Sequence, residues 1–277
     1  MFRILLILIL VTILIVVTNH VRYSDNILSV YYLDIGQGDS SLIVTPDSID
    51  ILIDAGPDKE VVYELSKVLN HENRKIELLV LTHNDYDHIG GVIELLERYE
   101  IGMIIADFEN YNSIYAERMY EIIREKEIPL YLADSESDMQ IGCCVYMDFL
   151  WPLKDSNFHD LSANDSSISV NIAYNDIDFL FDGDLSFEYE ERMLNGRTRE
   201  IEVLQVSHHG SKTGTSLEFL ELTKPNIAII SAGKDNKFGH PHQEVLDALS
   251  QYAVEVIRTD QLGSIRVSSD GIDYWVN

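Results

Sequence analysis

The residues best suited to chemistry lie between His83 and His88, in the order His-Asn-Asp-Tyr-Asp-His. Two imidazoles and two carboxylates thus fall within six positions, and both groups are common ligands of divalent metal ions. The apolar residues 78–81 precede the run, while two glycines and an amphipathic pattern follow it. This context predicts a turn between a buried strand and a helix, where the side chains can point into one cleft. We therefore predict a metal site centred on this run.

Similar polar residues follow several other predicted strands. They are Asp39 after residues 28–35, Asp54 after 51–53, Asp182 and Asp184 after 179–181, His208 and His209 after 203–206, and His240 and His242 after 227–230. A carboxylate or imidazole at the end of one strand is commonplace, but the recurrence suggests a single constructed site. Nitrogen and oxygen ligands without cysteine indicate a hydrolytic dinuclear centre, in which Asp184 would bridge two ions and a bound water would be activated.

The elements that must position these residues are short β-branched strands and amphipathic helices. Helices are predicted at residues 60–69, 88–99 and 112–127, the second from apolar residues repeating at three and four positions. The early strands are joined by short turns and the later ones alternate with helices, which predicts a mixed sheet covered by helices. Cys143 and Cys144 fall in a predicted strand over 143–150, where neighbouring side chains point to opposite faces, so we expect a structural role rather than a bond between them.

Three of these motifs resemble the metallo-β-lactamase superfamily. They are Thr-His-x-Asp-x-Asp-His-x-Gly-Gly at 82–91, Gly-Asp at 183–184 and His-His-Gly-Ser at 208–211. More narrowly, Leu-Asp-Ile-Gly-Gln-Gly-Asp at 33–39, Asn-Asp-Ser-Ser at 164–167 and Phe-Gly-His-Pro at 238–241 resemble the hydrolase domain of competence-related DNA-internalisation proteins. The resemblance implies a four-layer αββα sandwich over residues 28–277, with two metals in a cleft at one edge of the sheets.

The resemblance also implies which residues hold the metals. One ion would be held by His83, Asp85 and Asp184. The other would be held by Asp87, His88, Asp184 and His208, with His209 as the alternative to His208. The superfamily usually has histidine at the place of Asp85, and another before the bridging aspartate, where this chain offers Asn164, Asp165 and Ser166. Oxygen ligands move the first site toward harder ions, so Mn²⁺ and Mg²⁺ compete with Zn²⁺.

The remaining polar residues near the motifs are assigned to catalysis and substrate binding. We expect Asp87, Asp184 and His240 to be catalytic, with His240 donating to a phosphate or carboxylate oxygen or protonating a leaving group. The expected substrate-binding residues are Asn164, Ser166, His209, Ser211, Lys212 and His240. The later loops contain Lys212, Lys234 and Lys237, which reduce the local negative charge that would repel an anionic substrate. Helical packing explains Tyr111, Tyr115 and Tyr120 more simply than stacking on bases does.

The first 22 residues read as a membrane anchor. Eighteen residues between Arg3 and Arg22, mostly apolar, would form a helix of about 27 Å, close to the thickness of a bilayer core. A cleaved signal peptide is the alternative, but the first alanine is Ala55, so an Ala-x-Ala cleavage site is missing here. We expect an uncleaved anchor over 1–22, a linker over 23–27 and an extracytoplasmic catalytic domain, which would be secreted if the segment were cleaved.

The formal net charge of −27 repels polyanions and counts against binding of nucleic acid through a broad basic face. The leading hypothesis is nevertheless an extracytoplasmic phosphodiesterase, a nuclease acting on DNA, because of the family resemblance and a metal site suited to in-line attack on phosphorus. One alternative is hydrolysis of a small ester, lactone or cell-envelope phosphodiester. Another is a non-catalytic binding module that retains its metals. A DNA-uptake channel would have to be a separate partner, because only one apolar segment of spanning length occurs.

Overall fold

Two β-sheets packed face to face form the centre of the molecule. The computed structural model describes residues 26–69, 74–106, 113–156 and 160–277. The first sheet has the strand order β15-β14-β1-β2-β3-β4-β5-β6 and the second the order β13-β12-β11-β10-β9-β8-β7. The strands of the first sheet are β1 (Leu28–Tyr32), β2 (Ser41–Val44), β3 (Asp50–Ile53), β4 (Lys75–Leu81), β5 (Glu100–Ala106), β6 (Leu130–Tyr131), β14 (Ile265–Ser269) and β15 (Tyr274–Val276). Those of the second are β7 (Met139–Ile141), β8 (Val145–Trp151), β9 (Ser169–Tyr174), β10 (Ile177–Phe181), β11 (Val203–Gln205), β12 (Ile227–Ile230) and β13 (Glu255–Arg258).

Helices cover the outer face of each sheet. Those of the first half are α1 (Glu60–Val68), α2 (Tyr86–Ile89), α3 (Val92–Arg98) and α4 (Ile114–Glu125). Those of the second half are α5 (Phe187–Leu194), α6 (Leu217–Thr223), α7 (Gln243–Gln251) and α8 (Thr259–Leu262). Two short 3-10 turns lie at Asn164–Ser166 and Ser207–Gly210.

The central strands of the two sheets bury both of their faces. On β3, Ile51 and Ile53 pack between the two sheets, whereas Leu52 packs against the helices of the first sheet. On β11, Val203 faces the other sheet and Leu204 faces the second set of helices. Successive side chains of a strand point to opposite faces, so these continuous apolar runs fill three layers of core at once. The expected two sheets with covering helices are confirmed.

Parallel pairing brings the polar strand ends together. Strands β3, β4 and β5 run parallel in the first sheet, and β10, β11, β12 and β13 run parallel in the second. The carboxyl ends of parallel strands meet at the same edge of a sheet, where a crevice forms outside them. The residues after β3, β4, β10, β11 and β12 therefore share one edge of the sandwich.

The helix predicted over 88–99 is wrong as a single element. Two helices occur instead, α2 and α3, and the chain passes between them at Gly90 and Gly91. A Cβ added to Gly90 would lie 2.1 Å from the carbonyl oxygen of Pro57, and one added to Gly91 would lie 2.2 Å from that of Ala55. The two glycines thus let the metal-site loop pack directly on the backbone after β3, which apolar periodicity alone does not reveal.

The two cysteines are also placed differently from the prediction. Strand β8 begins at Val145, so Cys143 and Cys144 lie in the turn after β7 rather than in the strand. There they are joined by a disulfide bond. The alternation of side chains that argued against such a bond applies only within an extended strand.

The expected anchor at 1–22 lies outside the described residues. Among the residues that are described, no helix combines the length and apolar character needed to cross a membrane.

Candidate metal centre

The side chain of Asp184 lies at the centre of the candidate site. Its Oδ1 atom is 3.2 Å from Nε2 of His88 and 3.6 Å from Nε2 of His209. Its Oδ2 atom is 3.4 Å from Nε2 of His208 and 3.9 Å from Nε2 of His83. Four imidazoles from the loops after β4 and β11 thus surround one carboxylate supplied by the loop after β10, as expected of a bridging ligand.

A second carboxylate, Asp87, joins two of these imidazoles. Its Oδ2 atom lies 3.4 Å from Nε2 of His209. Two groups of three residues each bring one ligand atom per residue to within 4.8 Å of the others in the group. The groups are Asp87, His88 and His209, and His83, His88 and Asp184. The structure therefore contains two overlapping triads of metal-binding side chains.

The donor atoms in these triads fit divalent metal ions. Nε2 of His83, His88 and His209 and Oδ1 of Asp184 are all buried, and none has a hydrogen-bond partner within the described part of the chain. Leaving a buried polar atom unpaired costs about 1–3 kcal/mol, and these four atoms face one another in positions where a common ligand would pair them. Nitrogen and carboxylate donors suit Zn²⁺ and Mn²⁺.

Buried carboxylates hold two of the imidazoles from behind. Oδ2 of Asp54 lies 2.8 Å from Nδ1 of His88, and Oδ1 of Asp39 lies 3.2 Å from Nδ1 of His209. The carbonyl oxygen of Ser231 also lies 3.1 Å from that Nδ1 atom. A carboxylate on the far nitrogen of a ligating histidine fixes the tautomer and ring orientation and strengthens the ligand. The sequence placed Asp39 and Asp54 among the polar residues that follow strands, but it did not predict that they would support the ligating imidazoles.

Hydroxyl groups orient the third imidazole, that of His83. Its Nδ1 atom lies 3.1 Å from Oγ1 of Thr82 and 3.2 Å from Oγ of Ser167. The same Ser167 hydroxyl accepts a hydrogen bond of 3.1 Å from the backbone N–H of Asp184. Ser167 therefore ties the loop after β4 to the loop after β10, a role that the spacing of the sequence did not indicate.

The site residues differ in their exposure. His209 is 1% exposed, whereas the side chain of His208 is 26% exposed and its Nδ1 atom lies 3.1 Å from Oγ1 of Thr213. Nε2 of His209 lies within 4 Å of the carboxylates of both Asp87 and Asp184, whereas Nε2 of His208 lies within 4 Å of the carboxylate of Asp184. This geometry favours His209 as the partner of Asp87 and leaves His208 beside the triad of His83, His88 and Asp184, at the mouth of the site. Asp85, with its side chain 45% exposed, lies 3.8 Å from Nε2 of His83.

The electrostatics of the site separate its ionised from its neutral groups. Burial and the charge of His88 lower the pKa of His83 to about 3, which leaves a neutral imidazole. Burial works against the charged form of His209, but Asp184 and Asp39 outweigh it and raise its pKa to about 10. For Asp87, burial is likewise outweighed by the neighbouring imidazole of His209, and the pKa falls to about 2. Binding of a metal to Nε2 of His209 would therefore release a proton.

The expected substrate-binding residues are distributed around the mouth. The ring of His240 lies 5.6 Å from that of His208 and 6.2 Å from that of His209, and burial with the neighbouring imidazoles lowers its pKa to about 4. Nδ2 of Asn164 lies 3.4 Å from Nδ1 of His208. The structure thus brings His240 and Asn164 to the candidate metal centre.

Three other expected substrate-binding residues have different surroundings. The hydroxyl of Ser166 is buried and donates to the carbonyl oxygen of Ala163 at 2.8 Å. The Ser211 hydroxyl accepts from the hydroxyl of Thr213 at 2.9 Å. The Lys212 side chain is exposed, and its backbone N–H donates to Nδ1 of His242. Ser166 and Ser211 therefore make local loop contacts.

Unusual backbone conformations bring the loops this close. Gly38 has φ +134°, and a Cβ at this position would lie 2.1 Å from the carbonyl oxygen of Asp87. His208 and His209 both adopt left-handed conformations, with φ 50° and 56°. Such conformations cost about 1–3 kcal/mol each and cluster at functional sites, where the surrounding structure imposes them. Here the strain turns two consecutive imidazoles toward Asp184.

Comparison with known proteins agrees with this site. The family model described as "Metallo-beta-lactamase superfamily" matches residues 33–234. The chain is 32% identical over 260 residues to the ComE operon protein 3 of Bacillus subtilis (strain 168), covering 84% of this chain and 32% of that protein. It is 29% identical over 248 residues to Recombination protein 2 of Haemophilus influenzae, covering 85% of this chain and 28% of that protein. The chain thus spans about a third of the length of these curated relatives.

A solved structure shows the same architecture. The metallo-β-lactamase fold protein YhfI from Bacillus subtilis superposes with a TM-score of 0.60 at 12% identity, covering 91% of this chain and 100% of that one. Fold, family model and the convergence of His83, His88, Asp184 and His209 lead to the same conclusion. The chain belongs to the metallo-β-lactamase superfamily.

Proposed function

We propose that this metal-dependent hydrolase is a phosphodiesterase, and more narrowly a nuclease that acts on DNA. The observation that carries the proposal is the pair of triads that share His88 and lie beside Asp184, with their unpaired and buried donor atoms. Two divalent ions, when bound, supply Lewis acidity that activates water and stabilises negative charge at phosphorus. The name of one relative, Recombination protein 2, refers to recombination, a process that acts on DNA, and supports the choice of DNA.

The chain's own residues have distinct roles in this proposal. Asp87, His88, His209 and Asp184 hold one ion, and His83, Asp85 and Asp184 hold the other, with His208 beside it. Asp54 and Asp39 keep the Nδ1 protons of His88 and His209 away from the metals, so that the Nε2 lone pairs face the site. His240, with its pKa lowered to about 4, is neutral at pH 7 and can donate one N–H to a phosphate oxygen.

The metals and the location belong to the same proposal. The donor set includes the carboxylates of Asp85, Asp87 and Asp184. Because oxygen donors suit harder ions, we propose Mn²⁺ or Zn²⁺, with Mg²⁺ as a competitor. We further propose an extracytoplasmic catalytic domain anchored through residues 1–22. A separate channel or uptake protein would be its partner.

The charge of the molecule favours one alternative. A net charge of −27 disfavours a long polyanion, so hydrolysis of a small ester, a lactone or a cell-envelope phosphodiester is the second candidate. A small diester requires only the metal centre and the mouth residues, without an extended basic channel.

Turnover with defined substrates tests the proposal. Bis(p-nitrophenyl) phosphate and a fluorescently labelled single-stranded DNA are supplied with Mn²⁺, Mg²⁺ or Zn²⁺ in turn. We expect cleavage of both, reduced at least 100-fold by Asp87→Asn, because that change removes a charged ligand. Asp58→Asn is the matched control, since Asp58 is exposed and caps α1 by accepting from the N–H of Glu60.

Each other outcome has a defined meaning. Cleavage of the diester without cleavage of DNA would replace the nuclease by the small-substrate hydrolase. Cleavage of neither substrate would refute the phosphodiesterase and leave esters, lactones or a binding role. Full activity of Asp87→Asn would refute the assigned site.

A further inference from the structure

Exposed aromatic rings stand beside the candidate metal centre on loops from both sheets. Tyr86, the first residue of α2, lies between the candidate ligands Asp85 and Asp87 in sequence and is 48% exposed. Phe238 lies in the loop after β12 and is 50% exposed. Burying an aromatic ring is strongly favourable, so exposed rings at the mouth of a catalytic site indicate a ligand surface.

A second tyrosine extends the first of these surfaces. Tyr115, at the start of α4, is 49% exposed, and its ring centroid lies 4.8 Å from that of Tyr86. Helical packing, expected for the tyrosines of this segment, holds for Tyr120, which is 2% exposed and donates to Oδ1 of Asn84. The side chain of Tyr115 instead points toward solvent and contacts the ring of Tyr86.

The surface on the other loop couples an aromatic ring to a cation. Phe238 stacks on the ring of His240, with centroids 5.7 Å apart and planes at 24°. Nζ of Lys237 lies 4.9 Å from the centroid of the Phe238 ring. The loop thus presents a half-exposed aromatic ring, a positive charge and the imidazole proposed to contact phosphate.

We propose that Tyr86 with Tyr115, and Phe238 with Lys237, are stacking surfaces for the nucleobases that flank the scissile phosphate of a single-stranded nucleic acid. This inference rests on the proposed phosphodiesterase function and adds the substrate class. Every base offers a flat π-face to an aromatic ring, so such surfaces bind strands of any sequence.

The charge of the chain explains why stacking would be needed. Most nucleic-acid binding proteins gain affinity by neutralising phosphates with a basic surface. With 20 basic and 47 acidic residues, this chain has little of that attraction to offer. Stacking depends only weakly on salt, so we also expect a shallow dependence of affinity on ionic strength.

Binding of strands with and without bases tests the inference separately from catalysis. The protein is titrated with fluorescein-labelled oligo(dT) and with an abasic strand of equal length, in Ca²⁺ in place of a catalytic metal, and anisotropy is recorded. We expect the Kd for oligo(dT) to be at least tenfold lower, which corresponds to about 1.4 kcal/mol. Tyr115→Leu and Phe238→Leu should each bring the ratio of the two Kd values toward one, whereas Tyr115→Phe should preserve it.

The control is Tyr63→Leu. Tyr63 is 58% exposed and also has a lysine over its ring, Nζ of Lys67 at 4.2 Å, but it lies on α1. Equal affinity for both strands, or an equal loss of the ratio in Tyr63→Leu, would overturn the inference. If the proposed phosphodiesterase function were wrong, the turnover assay would show it instead, because bis(p-nitrophenyl) phosphate would not be cleaved with any of the metals.

Discussion

Replacing Asp54 by asparagine should weaken metal binding without changing any metal ligand. The carboxylate of Asp54 is buried and faces three donors: the backbone N–H of Thr82 at 2.8 Å, the hydroxyl of Thr82 at 2.7 Å and Nδ1 of His88 at 2.8 Å. An amide has only one acceptor atom, so its NH₂ group must face at least one of these donors. If it faces His88, Nδ1 becomes the acceptor and the ring proton moves to Nε2, where it points at the metal.

The expected loss follows from the role of such partners. Substituting the carboxylate behind a ligating histidine typically weakens metal binding about 10- to 100-fold, or about 1.4–2.8 kcal/mol. The assay is a chelator competition titration with Mn²⁺ and with Zn²⁺, combined with a count of bound metal per chain. We expect the affinity of the His88 site to fall in this range while the protein stays folded by circular dichroism.

A matched substitution controls for the loss of a carboxylate. Asp178→Asn removes a half-buried carboxylate at the start of β10, the opposite end of the strand from the candidate site, where Oδ1 accepts from Asn171. It should leave both metal affinities unchanged. If Asp54→Asn also binds both metals as tightly as the parent protein, the argument that Asp54 fixes the tautomer of His88 is wrong.

Two further predictions concern stability. Gly91→Ala should lower the free energy of unfolding by about 1–3 kcal/mol, because the new Cβ would lie 2.2 Å from the carbonyl oxygen of Ala55; an unchanged urea midpoint would contradict this close packing. Burial raises the pKa of Asp182 from 3.8 to about 7, so the folded protein holds this proton more tightly than the unfolded chain, and stability is lost as the pH rises from about 4 through 7. Asp182→Asn should therefore stabilise the protein at pH 8, by up to about 4 kcal/mol, and have little effect at pH 3; equal effects at both pH values in denaturant titrations would count against a neutral Asp182.

Much of the fold could be predicted from the order of the motifs and the apolar patterns. The run from His83 to His88 follows a strand and precedes a helical pattern, which is a local property of the chain. Continuous apolar runs such as residues 78–81 predict strands buried on both faces, and the structure has them between helices and a second sheet. The break at Gly90 and Gly91 was not predicted, because its cause is the backbone of Ala55 and Pro57, which is distant in sequence.

The sequence by itself determined which residue types stand at the ends of the strands, and so the chemistry that the protein offers: imidazoles and carboxylates, without a cysteine among them. Only the tertiary structure shows how these imidazoles and carboxylates are arranged around Asp184. The geometry that favours His209 over His208 as the partner of Asp87 depends on left-handed backbone at both positions and on Asp39, which lies 170 residues away from His209. The contacts of Asp54 with His88 and of Ser167 with His83 likewise join segments that follow or precede different strands. Neighbours in sequence fix the identity of a ligand, but its orientation is set by contacts across the sandwich, which no local pattern encodes.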